Sequence, residues 1–321
     1  MSGFAETHYL EVQKAAERIR PYVRRTSTLA TDLDPDLRLK AECFQVTGSF
    51  KVRGAFNAVL SQMARDPRPS GVIAVSSGNH AQAVALAART VGIPALILIP
   101  EDANPAKVAA TRALGAEVIQ EGITFANRER RLHEMMAERG YSLVHPFDDW
   151  DVIHGQGTAV AEMLEDEPGL VVVATPVGGG GLLSGSAISA KSRNPSIKVI
   201  GVEPALADDA YQSWRAGSIQ SLQAAPKTIA DGVRTTAIST RTFEVMFANS
   251  LVDEIVTVTE DEIASAVRVA WTRLHIALEP TGALPLAAYL TGKLPAGGLT
   301  GLILSGGNAN LETVAKLLGT P

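Results

Sequence analysis

Short apolar runs alternate with longer segments of helical periodicity along almost the whole chain. Runs rich in Val, Ile and Leu predict strands at 37–44, 71–76, 95–100, 117–120, 142–145, 170–177, 197–202, 255–258 and 302–304. Between them, apolar residues recur at helical spacing and predict helices over 8–23, 52–63, 81–91, 105–114, 125–139, 152–164, 182–191, 208–216, 260–278 and 311–318. Punctuation agrees with these bounds. Asn104 and Pro105 read as an N-cap and a first helical residue, Gly115 and Gly140 as helix stops, and Asp261 and Glu262 as a favourable first turn. Pro280-Thr281-Gly282 is expected to break the long helix before another short one. Residues 24–28 read as a polar connector, and 204–240 as irregular around one helix. Strands alternating with helices predict an α/β fold with largely parallel sheets, and the near-continuous strands predict sheets covered on both faces.

Composition narrows the classes. A chain of 321 residues, 46% hydrophobic and 20% charged, can bury the core of one or two domains. A net charge of −5 argues against a dedicated nucleic-acid binder. The first residues lack a basic stretch followed by an apolar run, so no signal peptide is expected, and the longest apolar runs are too short to span a membrane. A single cysteine, Cys43, excludes an internal disulfide and reads as a small buried hydrophobe in a strand. No Cys/His pattern suggests zinc. A cytoplasmic enzyme fits.

Three glycine- and serine-rich turns follow predicted strands and precede predicted helices: Ser76-Ser77-Gly78-Asn79-His80, Gly178-Gly179-Gly180-Gly181 and Ser305-Gly306-Gly307-Asn308. Ligands of open α/β sheets bind at such places. The tetraglycine turn lets backbone amides approach an anion, with the next helix, from about Leu182, adding its positive end. A tight turn with close helix packing explains it equally. Ser76 to His80 suits a carboxylate, although an ordinary helix cap is the simpler reading of that turn alone. His80 reads as a capping or packing histidine. Lys51, after Phe50 and at a strand-to-helix junction, would on its own be a surface lysine; together with the three turns it suits a Schiff base to pyridoxal phosphate. Ser305 would then meet the ring nitrogen as a neutral hydroxyl. That makes a weaker electron sink and favours β-elimination.

The motifs GSFKVRGA, SSGNHAQ, PVGGGGLLSG, EPALADD, ADGVRT, EPTGALP and SGGN stand in this order across essentially the whole chain. The sequence resembles the serine/threonine dehydratase and serine racemase family, pyridoxal-phosphate enzymes of the tryptophan-synthase-β fold. The resemblance implies a large domain (1–47 and 147–321) and a small one (48–146), with the cofactor in the cleft between them. It implies Lys51 as Schiff-base lysine and Cα base and Phe50 against the ring. Asn79 would lie on the ring hydroxyl, Gly178, Gly179, Gly180, Gly181 and Leu182 on the phosphate, and Ser305 at the pyridine nitrogen. Ser76, Ser77, Gly78, Asn79 and His80 would bind the substrate carboxylate, with Arg128 either assisting or lying on an exposed helix face. Glu203, the Ala207 carbonyl and Asp209 would hold a divalent cation, Mg²⁺ or Ca²⁺ with Mn²⁺ as a further candidate. By spacing alone that stretch is an acidic loop.

The expected reaction is loss of water from L-threonine or L-serine, giving a 2-oxo acid and ammonia. The amine of Lys51 is expected to be made less basic by burial and by a cationic neighbourhood. Serine racemisation is the nearest alternative and needs Ser77 as a second acid/base. Phe147, in HPFDD, stands where the mammalian-type racemase pattern has Asn and points to a dehydratase. 3-Hydroxyaspartate dehydration, with Arg128 on the second carboxylate, shares every motif. A catalytically silent binding protein on the same fold is the alternative of another class. A homodimer is expected, and isoleucine control through an appended domain is not.

Overall fold

The computed structural model describes residues 2–319. Among the described residues, ten strands form two sheets. The first contains β1 (Thr28–Ala30), β2 (Leu37–Lys40), β7 (Val172–Pro176), β8 (Lys198–Pro204), β9 (Glu254–Val258) and β10 (Thr300–Ile303), in the order β1-β2-β10-β7-β8-β9. The second contains β3 (Val72–Val75), β4 (Ala95–Leu98), β5 (Glu117–Ile119) and β6 (Ser142–Leu143), in the order β5-β4-β3-β6. Every pairing is parallel except β1 with β2. The helices that position the site are α1 (Ser2–Ile19), α2 (Lys51–Met63), α3 (Asn79–Val91), α4 (Pro105–Ala113), α5 (Arg128–Arg139), α6 (Trp150–Asp166), α7 (Gly181–Arg193) and α8 (Asp209–Ala216).

The period of two along a strand explains the layering. In β3, Val72 and Ala74 pack with Val52, Phe56 and Val84 of α2 and α3, whereas Ile73 packs with Leu132 and Met135 of α5. In the larger sheet, Val173, Val199 and Ile303 join the core under α1, α6 and α7. Their neighbours Val172, Ile200 and Leu302 join the core under the helices Glu260–Thr272 and Leu284–Leu290. Both sheets are thus covered on both faces, as the continuous apolar strands predict.

Several expectations are corrected. The first helix, expected over 8–23, runs over Ser2–Ile19. The strand expected over 37–44 stops at Lys40, and Cys43 lies in a 3₁₀ turn, Glu42–Phe44, rather than in a strand. That turn carries Glu42 inward, where its carboxylate takes two hydrogen bonds from Arg53 at 2.8 Å each. The polar connector at 24–28 leads directly into a strand, β1, an antiparallel edge added to β2. The helix expected over 260–278 ends at Thr272, and His275 takes a left-handed φ of 57°. From there Ile276 and Leu278 insert into the core, and Trp271 Nε1 donates to the Leu278 carbonyl at 3.0 Å. The helix expected from 125 starts at Arg128. Among the described residues no helix is long and apolar enough to cross a membrane.

Candidate active site

A cleft of about 760 Å³ opens where the turns after β3, β6, β7 and β10 converge. Its lining includes Phe50, Lys51, the run from Ser76 to His80, Arg128, the four glycines, Leu182 and Ser305. Every candidate catalytic, cofactor and substrate residue therefore faces one space. Only the candidate metal ligands lie elsewhere.

Lys51 is the first residue of α2. Its Nζ donates to the Pro146 carbonyl at 2.9 Å and lies 5.2 Å from the centroid of the Phe50 ring. Burial lowers its pKa to about 8. The cationic neighbours expected to share in that shift add nothing. The segment before it is tied to the turn after β10: Phe50 N–H donates to the Ser305 carbonyl (3.0 Å), Gly307 N–H to the Gly48 carbonyl (2.9 Å), and Ser49 pairs with Gly306. Two residues beyond Lys51, the fully buried Arg53 guanidinium meets Glu42 and, on α6, Glu162. This buried ion cluster anchors the base of α2.

The tetraglycine turn is built for close approach. Gly180 has a φ of 89°, and α7 begins at Gly181. The first turn of a helix has N–H groups without intrahelical partners, here at the cleft wall. A Cβ on Gly179 would lie 2.2–2.4 Å from ring atoms of Phe147, and one on Gly181 would lie 3.0 Å from Phe147 Cα. Phe147 therefore forms the floor under the loop, held edge-on against His145.

The turn from Ser76 opens α3 in the same way, with Gly78 as N-cap and no side chain capping it. The Ser77 side chain is exposed and Ser76 half-buried, and both line the cleft. His80 is buried, and its Nε2 donates to the Val144 carbonyl at 2.8 Å. Burial and the nearby Lys51 charge hold its pKa down at about 3, so its imidazole is a neutral packing group. Asn79 donates from Nδ2 to Glu279 Oε1 and accepts from Asn308 Nδ2 at Oδ1, each at 2.8 Å. Glu279 is a residue that the motifs contain without assigning a role. It lines the cleft, and burial, with the charge of Asp231, raises its pKa to about 7.

Arg128 is the first residue of α5, and its guanidinium carbon stands 3.7 Å from the centroid of the Phe125 ring. Its ion-pair contact with Glu129 is loose, at 3.7 Å, and burial lowers its pKa. It belongs to the cleft wall rather than to an exposed face. Lys107 of α4 and Asp231 form an ion pair that also lines the cleft.

Glu203 lies near the end of β8, and Asp209 begins α8. Glu203 accepts from the N–H groups of Ala210 (3.2 Å) and Tyr211 (2.8 Å). Both oxygens of Asp209 are buried without a partner. Burial raises both carboxyl pKa values, that of Asp209 to about 7. No group of three or more His, Cys, Asp or Glu suited to a metal occurs among the described residues, so a cation here would draw on two carboxylates and a carbonyl.

Comparison with known proteins agrees with this geometry. The chain is 43% identical to the L-threo-3-hydroxyaspartate ammonia-lyase of Saccharomyces cerevisiae, over 97% of this chain and 96% of that protein. It is 39% identical to the serine racemase of Dictyostelium discoideum, over 99% and 100%. The solved T.th. threonine deaminase superposes with a TM-score of 0.88 at 47% identity, covering 94% of this chain and 98% of that one. Residues 18–306 match the family described as "Pyridoxal-phosphate dependent enzyme". With a buried lysine amine, a tetraglycine cradle and a serine converging on one cleft, the chain belongs to the pyridoxal-phosphate dependent enzyme family and is an enzyme of its lyase and racemase branch.

Proposed function

We propose that this enzyme removes water from a β-hydroxy amino acid, and that the released enamine tautomerises to its imine and takes up a water to give a 2-oxo acid and ammonia: 2-oxobutanoate from L-threonine, pyruvate from L-serine, or both. The observation that carries this reading is the Lys51 amine, brought by burial to a pKa of about 8, in one cleft with the tetraglycine cradle and Ser305. These residues fit pyridoxal phosphate: an enclosed amine for the Schiff base, free helix N-termini for the phosphate, and glycines where any Cβ would collide. Gly178, Gly179, Gly180, Gly181 and Leu182 would hold the phosphate, Phe50 would lie against the ring, Asn79 would bond the ring hydroxyl and Ser305 would stand at the ring nitrogen. When bound, the cofactor supplies the sink for the electron pair released at Cα. Lys51 would hold the cofactor covalently through Nζ, and the same amine, when free and neutral, would take the substrate Cα proton. The amides and hydroxyls of the run from Ser76 to His80 grip the substrate carboxylate. A neutral Ser305 favours a step in which the β-hydroxyl leaves at once.

Arg128 supports a second reading. A guanidinium at the cleft wall with only a loose carboxylate partner suits the second carboxylate of 3-hydroxyaspartate. Ser77, exposed in the cleft, is the acid/base that serine racemisation would need. The deciding assay measures 2-oxo acid release from L-threonine, L-serine, D-serine and the 3-hydroxyaspartates, with chiral analysis of what remains. Fast release from L-threonine or L-serine without inversion is expected. D-serine formed at a comparable rate would make Ser77 the second acid/base. A faster reaction with hydroxyaspartate, lost in Arg128→Met, would move the substrate. A protein that develops no visible cofactor band on reconstitution would be a silent binder, and the whole reading would fall.

We also propose two domains, 48–146 and 1–47 with 147–321, a homodimer, a cytoplasmic location, and a structural or activating divalent cation on Glu203, the Ala207 carbonyl and Asp209. The support for the cation is the pair of buried carboxyls, one without any hydrogen-bond donor. A cation that binds only the folded state stabilises it by about 2.7 kcal/mol at one hundred times its Kd. Mg²⁺, Ca²⁺ or Mn²⁺ is therefore expected to raise the melting temperature of the protein. The rise should be absent in Asp209→Ala. An unmodified protein indifferent to all three ions would remove the proposal.

A further inference from the structure

Asn308 stands where the chain crosses from the larger sheet to α2. The crossing runs through Thr47 and Gly48, with φ of 69° and 72°. A β-branched residue is strained in that left-handed region. The Thr47 hydroxyl is also buried without a partner. Only glycine suits position 48, because a Cβ there would lie 2.5 Å from Asn308 Oδ1. Asn308 supplies the restraint: its Nδ2 donates to the Thr47 carbonyl at 2.7 Å and to Asn79 Oδ1 at 2.8 Å. Both protons of one amide are thereby committed. The first holds the strained turn four residues before Lys51. The second dictates which way the Asn79 amide faces, with its nitrogen toward Glu279 at 2.8 Å and one N–H left over.

We propose that Asn308 is a positioning residue that couples the strained crossing before Lys51 to the Asn79 amide. It thereby sets the placement of the Lys51 amine relative to the group that meets the cofactor's ring hydroxyl. The proposal rests on the cofactor reading above. Without the Asn308 amide, Thr47 is free to leave the left-handed region, α2 loses its fixed start, and Asn79 can turn over. Thr47→Gly removes the strain, so in that background the restraint is needed less.

The test titrates apoprotein with pyridoxal phosphate and follows the visible band and its pH midpoint in four variants. Asn308→Ala is expected to weaken binding about tenfold, the scale of one hydrogen bond between buried groups, and to shift the pH midpoint. Asn308→Asp keeps the shape but has no N–H to donate, and is expected to behave like the alanine variant. T47G alone should bind as the unmodified protein does. The T47G/N308A pair should regain the part of the lost affinity that comes from the crossing, leaving the part that comes from Asn79. Asn308→Ala or Asn308→Asp with unchanged affinity and band overturns the coupling, as does a pair no better than Asn308→Ala alone. If Asn308→Ala does not fold, the pair still decides, because the proposal requires it to fold and bind. Absence of a band in the unmodified protein would instead defeat the cofactor reading itself.

Discussion

Lys51→Ala is expected to lower kcat by about 10³-fold or more and to abolish the visible band of covalently held cofactor. General acid–base catalysis by one positioned group contributes about 10²–10⁴-fold, and on the proposed reading the same amine would also hold the cofactor covalently. The loss should therefore sit at the upper end of that range. The amine is primed by burial, which lowers its pKa to about 8. The sign follows from the charge. Only neutral Lys51 attacks an aldehyde or takes a proton, so cofactor capture by the apoprotein should speed up with pH up to about 8 and then level off. Lys51→Arg keeps a cation in place but never becomes neutral. It should therefore fail as completely as alanine, which separates proton transfer from charge. Near-normal dehydratase turnover in Lys51→Ala would remove Lys51 from the chemistry altogether.

Why Lys51 stands out in the sequence, and the residues packed around it do not, is a matter of range. The three turns are local: each is a glycine- or serine-rich stretch between a strand and a helix, and neighbouring residues suffice to identify it. The parallel sheets were legible for the same reason, because residues such as Val72, Ile73 and Ala74 are buried on alternating faces that are both covered. β1 was not, since two half-buried residues and one exposed residue at an antiparallel edge carry little periodicity. The overrun of the helix past Thr272 has a different cause. Ile276 and Leu278 continue an apolar pattern, but they enter the core as extended chain after the left-handed His275. Glu279 and Asn308 drew no role of their own in the sequence because their hydrogen-bond partner, Asn79, lies 200 and 229 positions away along the chain. The Arg53 cluster is equally non-local: a charge beside Val52 reads as surface until Glu42 and Glu162 are brought to it. Domain boundaries, assembly and the ranking of substrates depend on surfaces and loops of this long-range kind.

Gly179→Ala is expected to be the most damaging single methyl in the cleft. The added Cβ would lie 2.2–2.4 Å from Cγ, Cδ1 and Cδ2 of Phe147, well inside van der Waals contact. Those atoms are the near end of the ring, so no small rotation of the side chain relieves the overlap. Retreat is also hindered by His145, whose ring packs edge-on at 4.7 Å, and by Gly181, which lies over Phe147 Cα. Either the ring or the loop must move. Overpacking of this kind costs about 1–3 kcal/mol. If the loop moves, the amides of residues 179–182 shift at the cleft wall, and cofactor affinity should fall by about tenfold or more. Melting temperature and cofactor titration read the two effects separately. The double variant Phe147→Ala with Gly179→Ala then isolates the cause. Removing the ring gives the new methyl its space, so affinity should return toward that of Phe147→Ala alone. If it does not, the methyl blocks the phosphate directly, and Phe147 is only a neighbour of the cradle rather than its floor. If Gly179→Ala binds cofactor as the unmodified protein does, the tetraglycine turn is a packing device and the phosphate is held elsewhere.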